Sequence, residues 1–222
     1  MDAAEWDTSH DPDAMLVAAG KRLSDRSLLL FACASARRVW EVLPAFATAL
    51  VPRVEAAADL PTAERVAALQ AAVEGIGGMT AAVARRQLRP DRPLPTVQAA
   101  AMLLRRLEST GNTGLPTLLG RAISMLWEST RFVSRPSPEQ AALLRCVAGN
   151  PFAETPFDPA WRTSDVRALA ALAAAGAFDT LPILADALQD AGCSDDVMLN
   201  HLRTDAGHTR GCWVLDGVLG RS

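Results

Sequence analysis

The sequence predicts an all-α protein, an irregular orthogonal bundle of about ten short helices. Three observations carry that expectation. Hydrophobic residues make up 50% of the chain and are dominated by Ala and Leu, the strongest helix formers, with no Tyr at all. Apolar residues recur at three-four spacing in one stretch after another. No run of β-branched residues alternates with period two, as a half-buried strand would require. Helix lengths vary and no fixed-period repeat is present, so a solenoid is not expected.

The elements follow in order. Asp11-Pro12 is a helix start, with the acid as N-cap and the proline at the first helical position, and the helix runs to Gly20. Ser24 caps the next, which Pro44 should end; Leu29, Ala32, Cys33, Ala36, Val39, Trp40 and Leu43 form its buried stripe. Residues 45–58 read as helical despite Pro52, which should kink or split them. A helix over 62–76 follows, broken by Gly77-Gly78, then a short amphipathic piece over 80–88. The connection 89–95 holds three prolines and reads as stiff. Helices over 96–107 and 115–133 come next. Ser137 and Gln140 form a capping box for a helix that stops at Gly149. After an irregular, proline-rich stretch, Thr163, Asp179 and Ser194 read as N-caps, with Gly176, Gly192 and Gly207 as stops. A last short helix is expected within 208–219. One domain, 1–222, is expected, with a subdivision into 1–88 and 96–222 left open at 89–95.

With 222 residues the chain can bury a core without disulfides or metal. Its net charge of −3 argues against binding nucleic acid by general phosphate attraction. The pairs Arg37-Arg38, Arg85-Arg86 and Arg105-Arg106 lie in helical patterns with acids nearby and read as solvated faces. The acidic N-terminus lacks the basic and apolar regions of a signal peptide, and no apolar run approaches the ~18 residues of a membrane span. A cytoplasmic location is therefore expected, with the four cysteines reduced.

No phosphate-binding glycine loop, nucleophile elbow or zincin helix is present. One cluster stands out: Cys193, His201, His208 and Cys212, with seven, six and three residues between successive members. Two sulfurs and two imidazoles suit tetrahedral Zn²⁺, and closed four-ligand sites are structural. The spacing matches no common finger. The alternative reading makes the cysteines small core residues and leaves the histidines to cap or face solvent. His208 beside Cys212 also suggests an activated thiol, although no third orienting group is identifiable. Cys33 and Cys146 read as core. Trp40 and Trp127 read as core too, Trp161 and Trp213 as packing anchors, and Trp6 as a docking residue for its own segment or for a partner.

Both ends carry a resemblance. The start has Asp11-Pro12, Met15-Leu16, Ser24-Asp25-Arg26, Leu30-Phe31-Ala32-Cys33 and Arg37-Arg38 followed by Trp40. The end has Asp158-Pro159-Ala160-Trp161-Arg162-Thr163, then Leu184-Ala185-Asp186-Ala187-Leu188, Ala191-Gly192-Cys193, and His208 to Trp213. These resemble a paralogous family of uncharacterised planctomycete proteins, Ala/Arg-rich and helical, some of them beside repeat-companion domains. The resemblance implies a bacterial, modular, non-catalytic chain and brings no activity with it. Members often carry a Cys-Cys pair in the first helix and a His after the Trp. Ser35-Ala36 and Glu41 stand in those places here, which removes any metal or redox site at that end. Cys193, His201, His208 and Cys212 match the closing pattern.

Three functional readings result. The first is a non-catalytic interaction or adaptor module that binds another protein, or a second copy of itself, at an apolar groove between helices, with no nucleic-acid or membrane partner. The second is a small zinc-binding protein with its structural site at Cys193, His201, His208 and Cys212. The third is an enzyme using Cys212 and His208.

Overall fold

The computed structural model describes residues 1–42, 45–74, 138–204 and 207–221. Ten α-helices lie among the described residues, and no strand does. They are α1 (Ala3–Thr8), α2 (Pro12–Ala19), α3 (Asp25–Arg37), α4 (Ala45–Ala58), α5 (Thr62–Glu74), α6 (Pro138–Ala148), α7 (Ser164–Ala174), α8 (Leu181–Asp190), α9 (Asp196–Arg203) and α10 (Trp213–Leu219). The expected helices over 80–88, 96–107 and 115–133, the Gly77-Gly78 break, the connection 89–95, Trp127 and the Ser137 cap lie outside the described residues.

Capping chemistry sets most of the starts. Asp11 accepts from the amides of Asp13 and Ala14, Ser24 from Ser27, and Thr163 from Val166. Three boundaries differ from expectation. Helix α3 ends at Arg37 and a 3₁₀ turn, Trp40–Val42, replaces its last stretch. Helix α8 begins at Leu181, after a 3₁₀ turn over Phe178–Thr180, and has no side-chain cap. At α9 the cap is Asp195, which accepts from the Met198 amide, rather than Ser194. Helix α4 runs as one element through Pro52.

Helix α1 was not anticipated. Asp2 and Glu5 form a reciprocal capping box, and Trp6 is fully buried with its indole N–H donating to the Gly149 carbonyl at 2.8 Å. The N-terminal segment is thus docked by its own tryptophan.

Two apolar cores result. The first joins α1–α5 to one face of α6, through residues such as Trp6, Met15, Leu29, Phe31, Leu50 and Leu144. The second gathers α7–α10 around Leu184, Leu188, Met198, Leu202 and Val214. Helix α6 serves both: Leu143, Leu144 and Val147 face the first core and Cys146 the second.

A polar clasp also crosses between them. Arg26, only 4% exposed, donates to Asp59 through Nε and Nη2 and to Asp216 on α10 through Nη1. Arg210 donates to the other Asp59 oxygen at 2.5 Å. Burial pushes the Asp59 carboxyl up, but the hydrogen bonds from Arg210 and Arg26 outweigh it and hold the group below its ordinary value. Burial wins at Asp216, whose carboxyl is raised to about 6.

Candidate metal centre

Three side chains close in sequence and one from a distant helix meet at the second core, the two cysteines buried in it and the two histidines half-buried. Cys146 comes from α6, His201 from the last turn of α9, His208 from the loop that follows, and Cys212 from the N-cap position of α10. One ligand atom from each lies within 4.8 Å of all the others. His201 Nε2 is 3.2 Å from Cys212 Sγ, and His208 Nδ1 is 3.9 Å from Cys146 Sγ. A tetrahedral Zn²⁺ with bonds of about 2.3 Å to sulfur and 2.0 Å to nitrogen sets its ligand atoms about 3.3–3.8 Å apart. The widest separations therefore exceed those of a bound site by up to about 1.0–1.5 Å, and metal binding would draw the four ligand atoms inward.

Local structure explains each placement. Gly207 and Gly211 take φ of +71° and +86°, turning the loop twice in a region that favours glycine. At Gly211 a Cβ would stand 2.5 Å from the Leu30 Cδ1, so the loop lies directly on α3. That pins Cys212, whose amide donates to the Thr209 carbonyl at 3.1 Å. His208 Nε2 is 2.9 Å from the Thr204 carbonyl. An N–H donated there makes Nε2 the protonated nitrogen and leaves the Nδ1 lone pair for the sulfurs, as partners of metal-bound histidines do. The two imidazoles meet edge to face with centroids 4.9 Å apart, and Trp213 tilts against His201 at 5.8 Å.

The electrostatics favour a thiolate in this pocket. Burial pushes the Cys212 thiol up, but the hydrogen bond with Cys146 and the neighbouring His201 and His208 imidazoles outweigh it and hold Cys212 well below its ordinary value. Cys146 moves the opposite way, raised by its hydrogen bond to Cys212 and then by burial. Metal binding would release the remaining thiol proton, since a ligand sulfur must be deprotonated. Two thiolates neutralise a divalent cation, which makes its burial compatible with the apolar surroundings.

Three of the four residues expected from the sequence, His201, His208 and Cys212, are brought together, and Cys193 is not among them. Gly192, at φ +93°, ends α8, and the Cys193 amide donates back to the Leu188 carbonyl at 2.9 Å. Its side chain is buried in the second core with α8 and α9, where burial raises the thiol. Cys146 takes its place. No local pattern marked Cys146, which lies only about 60° round the helix from Leu143, a residue of the first core. Cys33, expected to be core, is 1% exposed and belongs to the first core. The last helix, expected within 208–219, starts only at Trp213, so His208 lies on the loop before it and Cys212 at its N-cap.

No family model, curated protein or solved structure matches this chain.

Proposed function

We propose that this chain is a metal-binding helical protein that holds one Zn²⁺ at Cys146, His201, His208 and Cys212 as a structural centre. The observation that carries the reading is the convergence of four ligand atoms within 4.8 Å from two helices, a loop and a helix start. Two sulfurs and two imidazoles are the donor set of closed zinc sites, which take no substrate. Burial agrees with that role: Cys212 is fully buried and Cys146 is 2% exposed. The same burial speaks against the catalytic-thiol reading, since a nucleophile must be reached. The interaction-module reading has weaker support. Leu172, Ile183 and Val197 are exposed, one on each of α7, α8 and α9, and exposed apolar residues of this kind are common on ordinary surfaces.

Cobalt substitution tests the proposal. Co²⁺ added to metal-free protein should give the visible absorption bands of a tetrahedral site with sulfur-to-metal charge transfer. Cys146→Ser should weaken the charge-transfer band, and Cys193→Ser should leave it unchanged. An octahedral spectrum in the unsubstituted protein would defeat the reading.

A further inference from the structure

A cleft of about 520 Å³ opens between the end of α3, the end of α7 and the loop at 207–210. That volume lies within the roughly 300–1,000 Å³ of small-molecule sites. Its composition is uneven. Among the described residues, Arg37, Arg38 and Arg210 line it against one carboxylate, Glu55, in a chain whose net charge is −3. Glu55 is spent on Arg37, which grips it with Nε at 2.5 Å and Nη2 at 2.7 Å. Arg210 reaches out of the cleft to Asp59, a carboxylate it shares with Arg26. Arg38 is exposed and has no carboxylate partner among the described residues. Apolar surface from Ala34, Leu143 and Phe178 completes the lining.

We propose that this cleft binds a small organic molecule with an oxyanion group, a carboxylate or phosphate, and an apolar body. The oxyanion pairs with the guanidinium of Arg38, with Arg210 as its second cationic neighbour. Guanidinium forks match the two coplanar oxygens of such groups, and the apolar body lies against Leu143 and Phe178. The site is separate from the metal centre, touching it only through His208, and it does not depend on the metal reading.

The test uses the full chain, with phenyl phosphate, benzoate and benzyl alcohol as probes followed by backbone and arginine Nε–H NMR shifts. At least one anionic probe should bind saturably, shifting residues 207–210 and Arg38. It should bind at least about tenfold more tightly than benzyl alcohol, one charge-assisted hydrogen bond's worth. The winning probe distinguishes a phosphate from a carboxylate ligand. Arg38→Gln, on an exposed side chain, should weaken binding about tenfold, and Arg210→Gln should weaken it as well. Equal binding of the neutral probe, no saturable shift with either anion, or unchanged affinity in both variants would overturn the proposal. Zinc content measured on the same samples reports on the metal centre alone, so the two readings can fail separately.

Discussion

The two cores are built on different principles. The first fills its interior with large apolar side chains, among them Trp6, Met15, Phe31 and a set of leucines, and its helices α3, α4 and α5 run 13 or 14 residues. The second has helices of 7 to 11 residues. Its buried residues include three cysteines and, among the described residues, no aromatic, while Phe157, Trp161, Phe178 and Trp213 are only partly buried at its margin. Burial stabilises by roughly 25 cal/mol per Å² of apolar surface, so large side chains let the first core hold itself. Short helices without a buried aromatic ring supply less, and such units are commonly stapled by a metal.

Chelation should separate the two most strongly. Removing the metal should lower the melting temperature by about 6–12 °C, taking a site worth ~3 kcal/mol and about 2–4 °C per kcal/mol at this size. Hydrogen exchange should then accelerate across 164–203 and 212–219 and remain slow in α2 and α3. Uniform acceleration through both cores would break the comparison.

The clasp is where the cores depend on each other. Arg26→Ala leaves Asp59 and Asp216 without their shared, buried cation, and breaking such a pair costs about 3–5 kcal/mol. Denaturant unfolding should show this loss both with and without metal.

A smaller effect sharpens the contrast from the first core. Burial, then the neighbouring Asp11, raises the Asp13 carboxyl to about 6. Because the folded value lies above the unfolded one, its contribution is fully present below about pH 4 and is lost as pH rises through about 6. Asp13→Asn should flatten that part of the stability profile, and the change should persist after chelation.

Most of the fold was legible because local rules set it. Asp11, Ser24 and Thr163 cap as their residue types predict, and Ala-Leu periodicity marks α3 and α4. What escaped notice was decided elsewhere in the chain. Helix α1 is short and polar, and its docking depends on a hydrogen bond from Trp6 to Gly149, which no local pattern encodes. The site was partly legible for the same reason. His201, His208 and Cys212 are neighbours in sequence and stay so in space. Cys146 reaches them only because α6 packs against α10, a tertiary contact that sequence spacing does not reveal. Cys193 was attractive by proximity alone, and the turn at Gly192 directs it into the packing between α8 and α9.

The most direct test is elemental analysis of the native protein beside Cys146→Ser and Cys193→Ser, each purified without added metal. The account predicts near one zinc per chain in the native protein and in Cys193→Ser, and loss of zinc from Cys146→Ser. A zinc-free native protein, or zinc retained by Cys146→Ser and lost from Cys193→Ser, would contradict it.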